Sequence, residues 1–161
     1  AEGWSKYADY IIGYDFENGV VVEHEVSINN VIHYTATAKV EANSDYPWTF
    51  DTFGANVVSN EWDSESGEGV ITFDTDVTTI GYMAFYGCAN LTSIVLPDGV
   101  TSIGEEAFYG CTNLTSIVLP EGVTSIGVGA FDGCIKLTIH APAGSYAETY
   151  AKENNIPFVA E

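Results

Sequence analysis

Between Val77 and Ser145 the chain writes one phrase three times. VTTIGYMAFYGCANLTSIVLPDG, VTSIGEEAFYGCTNLTSIVLPEG and the looser VTSIGVGAFDGCIKLTIHAPAGS place Phe85, Phe108 and Phe131 at a step of 23 residues, and Cys88, Cys111 and Cys134 keep the same step. A fixed period of 20–29 residues with Leu and Ile at set offsets marks a leucine-rich solenoid. Each coil of such a solenoid buries its apolar side chains only against its neighbours, so the two ends of the stack need caps. The repeat constrains shape strongly and chemistry hardly at all.

Within a repeat, the period of two along LTSIVLP sends Ile94 and Leu96 inward and Ser93, Val95 and Pro97 outward. The second copy places Ser116 and Val118 outward over Ile117 and Leu119. The third copy lacks one residue after Thr138, which puts Ile139 inward and Thr138 and His140 outward. On the other arm, Val100 and Ile103 bracket a second short extended piece, and Gly104 turns the chain into Glu105-Glu106-Ala107-Phe108, which reads as helical. The cysteines occupy one position in every coil and read as small core residues, since free Cys is among the most buried residue types. An odd number of them, spaced by coils, leaves the redox compartment open.

The flanks divide the rest of the chain. Residues 1–19 read as the end of an upstream unit or a helical lead-in, because Trp4, Tyr7 and Ile11 share one face of a short helix. Residues 20–76 read as a β-rich cap. A first hairpin is expected from Val20 to Thr35 with Asn29-Asn30 as its turn, and a second from Asn56 through Trp62, across Ser64–Gly69, into Val70–Phe73. Between them, Pro47, Trp48, Phe50 and Phe53 supply aromatic surface to cover an open end. Residues 77–145 are the three repeats of about 23 residues, and 146–161 read as a C-terminal helical cap closed by Asn154-Asn155.

Charge excludes one class of partner. The chain carries 23 acidic residues against 4 Lys and no Arg, a formal net of −19, so nucleic acid, which is bound by releasing counterions to clustered Lys and Arg, is not expected. Fifteen of the acids precede the repeats, where they face only Lys6 and Lys39. No stretch of about 18 apolar residues is present to insert this segment into a membrane, and a monomer is expected.

The motif V-T-S-I-G-x-x-A-F-x-G-C-x-x-L-T-S-I-x-L-P, at 100–120 and closely at 77–97, resembles the BspA-like leucine-rich repeats, also called the Treponema pallidum type, of gut and oral bacterial surface proteins. The tail GSYAETYAKENNIPF and the strand-rich stretch from Tyr34 to Gly81 are similar to closing and leading segments of such arrays. The resemblance implies an α/β leucine-rich repeat solenoid, right-handed, with a short parallel sheet on its concave side. It also implies an extracellular module at the bacterial cell surface that adheres to, or binds, an extracellular host or bacterial protein or a glycan. It implies no catalysis and no cofactor.

The candidate binding face is therefore the outward ladder of Ser93, Val95, Ser116, Val118, Thr138 and His140, because solenoids bind through surfaces made by repetition. His24 and His33 would lie diagonally on one face of the first hairpin, yet two imidazoles without a convergent carboxylate do not make a zinc site. Asp63, Glu65, Glu68, Asp74 and Asp76 offer oxygen ligands for calcium but lack the spacing of an EF-hand loop. Glu105 and Glu106 recur at a position held elsewhere by Tyr82-Met83 and Val128-Gly129, and no cysteine has a His at a recognised nucleophile spacing. A spacer within a longer surface protein is the other reading, and a carbohydrate-processing enzyme would need a carboxylate pair that the sequence does not space.

Overall fold

The computed structural model describes residues 11–15, 20–24, 28–42 and 45–161. Residues 77–145 form stacked coils, each contributing one strand to a parallel ladder and one shorter strand to a second. The longer strands are β7 (Leu91–Val95), β9 (Ser116–Val118) and β11 (Thr138–Ala141); the shorter are β6 (Thr79–Ile80), β8 (Ser102–Ile103) and β10 (Ser125–Ile126). β7, β9 and β11 pair in parallel with Ile94, Ile117 and Ile139 in one row. All three are buried, with Leu91, Leu96, Leu114, Leu119 and Leu137 around them. Pro97, expected outward, is buried, because the strand has ended by then and the chain turns into the next arm.

The arm from 104 to 110 is a run of turns, not a helix. The cause is backbone pairing between coils: the N–H groups of Glu106, Phe108 and Gly110 donate to Val128, Ala130 and Asp132 of the next coil, and are thus unavailable to an α-helical ladder. Met83, Glu106 and Gly129, at one position in the three copies, share a positive φ of 54°, 54° and 66°. The coils also approach closely. Gly104 N donates to Ile80 O at 2.6 Å, and a Cβ on Gly104 would lie 2.7 Å from Gly81 C and Tyr82 N.

Three side-chain columns run through the stack. Phe85, Phe108 and Phe131 lie face to face at 5.1 and 5.3 Å. The thiols of Cys111 and Cys134 donate to the carbonyls of Phe85 and Phe108, one coil back, at 3.1 Å. Asn113 reaches back in the same sense to Ala89 O. All three cysteines are free and buried; burial pushes the Cys88 thiol up to about 11, and its neighbours and burial raise Cys111 as well.

The preceding segment completes the first coil as if it were one. The second hairpin forms as expected, β4 (Val57–Trp62) with β5 (Glu68–Phe73). The first does not. Ile11, expected on a helix, opens strand β1 (Ile11–Asp15), which pairs with β2 (Val20–His24), whereas the rest of the expected lead-in lies outside the described residues. β3 (Val31–Ala36) pairs instead with β5 on one side and antiparallel with β7 on the other. Asn29-Asn30 is not a hairpin turn but a short 3-10 turn fastened to the stack: Asn29 O accepts from Val77 N at 2.8 Å, Asn29 Oδ1 from Gly99 N at 3.1 Å, and Asn30 Nδ2 donates to Phe73 O at 3.3 Å.

The short helix α1 (Phe50–Phe53) then takes the place of a preceding turn arm. Thr52 O accepts from Gly81 N, Trp48 Nε1 donates to Ala84 O at 2.7 Å, and the rings of Trp48 and Phe53 lie 5.7 and 6.0 Å from that of Phe85. At the far end, helix α2 (Tyr146–Glu153), capped by Ser145, sets Tyr150 edge-on to Phe131 at 6.0 Å. Strand β12 (Phe158–Ala160) pairs in parallel with β11. The result is a seven-stranded sheet in the order β12-β11-β9-β7-β3-β5-β4.

Truncating Phe108 to Ala, in the middle of the ring column, is expected to cost about 3–5 kcal/mol, read as a fall in melting temperature. Gly104→Ala, which forces backbone against backbone, is expected to cost about 1–3 kcal/mol by overpacking; a variant melting with the parent would show that the coils separate without penalty.

Candidate functional site

The structure brings all six outward residues into two straight rows. Register pairs Ser93 with Ser116 and Ser116 with Thr138, and pairs Val95 with Val118 and Val118 with His140. Every one is half-buried, as side chains standing on a sheet flanked by strands must be. His140 Nδ1 lies 3.0 Å from Glu161 Oε1, which fixes that ring over the end of the sheet.

The rows do not stop at β7. Thr35 stands opposite Ser93 and His33 opposite Val95; Glu68 and Val70 of β5 continue them, and Glu61 of β4 follows Val70. Thr35 Oγ1 lies 2.7 Å from both Thr92 Oγ1 and Ser93 Oγ, so a hydroxyl cluster bridges the antiparallel junction. The alternation that marks His33, Thr35, Glu68 and Val70 as outward is present in the sequence, but only the pairing of β3 with β7 places them on this face. A cleft of about 290 Å³ opens where the face ends, lined by His33, Glu61, Asp63, Ser66, Glu68 and Val70 over Trp62 and Gly69.

The cleft is acidic on its rim and holds a histidine kept neutral. Burial lowers the His33 pKa, and Glu68 opposes that shift without cancelling it. The strands of His24 and His33 do not pair with each other: His24 lies in β2 opposite Ile11, whereas His33 lies between Val70 and Val95. The expected hairpin register fails because β3 pairs with β5 and β7 and buries Ile32 and Tyr34 in the core instead of turning back on β2. Two acidic side chains of the expected calcium run tie the backbone: Asp63 Oδ1 accepts from Glu65 N, and Asp74 accepts from the backbone N and the Nδ2 of Asn56, which lowers its pKa. Among the described residues, no group of three or more His, Cys, Asp or Glu is placed to hold a metal ion, and no helix is long and apolar enough to cross a membrane.

Coils stacked at a step of 23 residues, with two parallel strand ladders, define a repeat protein of the leucine-rich class. Residues 67–151 match the BspA type leucine rich repeat region in six copies, and the chain belongs to that family. Two solved bacterial structures are similar. The leucine rich repeat protein of T. pallidum, TpLRR, shares 37% identity over 40% of this chain and 30% of its own, with a TM-score of 0.39. A leucine-rich repeat protein from Bacteroides ovatus shares 29% identity over 53% of this chain and 29% of its own, with a TM-score of 0.41. The chain thus spans under a third of the length of either. No curated protein matches it.

The state of His33 sets a pH dependence. With its folded pKa below the ordinary 6.5, the unfolded chain takes up a proton first as pH falls, so stability present above about pH 6.5 is lost between that value and the lowered folded pKa. Urea midpoints measured from pH 7.5 to 5 are expected to fall more steeply for the parent than for His33→Gln; parallel curves would place the titrating group elsewhere.

Proposed function

We propose that the chain is a binding module of a bacterial surface protein, engaging an extracellular protein or glycan across the outer face of its seven-stranded sheet. The observation that carries this reading is the continuous pair of rows. Hydroxyls at Thr35, Ser93, Ser116 and Thr138 run beside His33, Val95, Val118 and His140, presenting hydrogen-bonding and small apolar groups on backbone that the sheet holds rigid. Recognition of this kind works by complementarity over an area and asks for no reacting side chain. BspA-type proteins are typically bacterial surface proteins, which supports the extracellular setting. An adhesive role is the finer form of the same proposal.

Capture from host extracellular proteins and mucosal glycans tests it, run beside a variant with Ser116→Arg and Val118→Arg in the centre of the face. Selective capture that the variant loses is expected, with affinity reduced at least tenfold. Capture that both share would move the site off the sheet, and no capture by a folded sample would make this segment a spacer.

A further inference from the structure

A second surface lies on the turn arms of the coils. Tyr46, Tyr82 and Tyr109 are exposed there by 36%, 56% and 40%, although tyrosine ordinarily buries most of its ring. They form one cluster with Tyr86. Tyr86 and Tyr109 lie face to face at 5.1 Å, and Tyr46 meets both Tyr82 and Tyr86 at 5.9 Å. The stacking follows from the repeat, since 86 and 109 are one position in successive coils, and the third copy places Asp132 there.

The surroundings of these rings are anionic. Glu105 takes the position of Tyr82 in the second coil, and Glu106 and Asp132 flank Gly129, where a Cβ would lie 3.4 Å from Glu106 Cγ and 3.5 Å from Asp132 Oδ2. Partial desolvation, Tyr46, Glu106 and Glu105 together hold the Tyr82 hydroxyl above its ordinary pKa, so it stays neutral. The described lysines are engaged elsewhere: Lys39 with Glu41, Lys136 with Asn113 and Lys152 with Glu148. Exposed rings beside carboxylates that none of the described lysines pairs with suit a cation. Guanidinium fits best, because it stacks flat on a ring while its edge hydrogen-bonds a carboxylate. A neutral sugar would use the rings but leave the carboxylates without a role.

We infer that the cluster of Tyr46, Tyr82, Tyr86 and Tyr109 with Glu105, Glu106 and Asp132 is a docking surface for an extended basic peptide segment. Its arginine side chains lie on the rings and pair with the carboxylates. The coil spacing favours a segment running along the stack, which meets Tyr82 or Tyr86, then Glu105 or Tyr109, then Asp132.

Calorimetric titration of the intact chain with an eight-residue peptide alternating Arg and Ser tests this, with the citrulline peptide and cellohexaose as neutral probes. The arginine peptide is expected to bind saturably and the neutral probes not. Each exposed cation–π contact is worth about a 2- to 5-fold change in affinity, so Tyr82→Leu with Tyr109→Leu is expected to weaken binding about 5- to 25-fold. Glu105→Gln with Asp132→Asn should weaken it and flatten its salt dependence, while Asp98→Asn with Glu121→Gln, which removes the same charge elsewhere, should not. Equal losses from the two charge variants would reduce the effect to the net charge of the chain and overturn the proposal. Tighter binding of cellohexaose than of the arginine peptide would overturn it in favour of a glycan platform. Should the tyrosine variant not fold, chemical-shift mapping on the parent decides, with shifts at Tyr46, Tyr82 and Tyr109 expected and shifts confined to the sheet contradicting it.

Discussion

The distance at which one coil can lie against the next governs this molecule. Gly104 and Gly127 donate backbone hydrogen bonds of 2.6 and 2.8 Å to Ile80 and Ile103 of the preceding coil, and no larger residue fits at that approach. With the backbones so close, equivalent side chains are forced into columns. The phenylalanines stack as near-parallel rings, and the thiols of Cys111 and Cys134 each find the carbonyl one coil back. Periodic sequence becomes periodic contact for this reason, and every coil depends on its neighbours for the partners of its own polar groups.

That dependence explains the ends. The first coil has carbonyls, ring faces and a strand edge with no coil before them, and the leading segment answers each in turn. Trp48 takes the carbonyl of Ala84, Trp48 and Phe53 take the exposed face of Phe85, and Asn90 donates to Ala38 and Lys39 as Asn113 does to Ala89. β3 closes the strand edge by pairing antiparallel, which converts a repeat sheet into a wider mixed one. α2 and β12 do the same work at the other end with Tyr150 and a parallel strand.

Capping therefore also extends the outer face. Sealing the edge of β7 with β3 and β5 carries the rows of the repeats on to His33, Thr35, Glu68 and Val70, so the face is wider than three coils would provide and ends in a cleft. The departure of the copies from one another matters on the turn arm. Where the core positions repeat Phe and Cys, the outer positions change from Tyr to Glu and from Tyr to Asp, producing a surface that is aromatic at one end and anionic at the other. The buried columns fix the coils, and the exposed variation gives each coil its own surface.

The sequence alone determined the coils, their period, the inward rows of Ile94, Ile117 and Ile139 and the outward rows opposite them, because these follow from a period of two on strands and a period of 23 between them. It also marked the β4–β5 hairpin, whose turn and strands are contiguous. The tertiary structure alone decided where β3 pairs. Asn29-Asn30 has the composition of a hairpin turn, and only the presence of Val77 N and Gly99 N nearby makes its oxygens clamps on the stack. It likewise decided that Glu105–Phe108 is a run of turns, since hydrogen bonds to a coil 23 residues away outcompete those four residues away. Local periodicity is written in consecutive residues, but the partner of an edge strand is set by which buried surface is left open, and that depends on the whole fold.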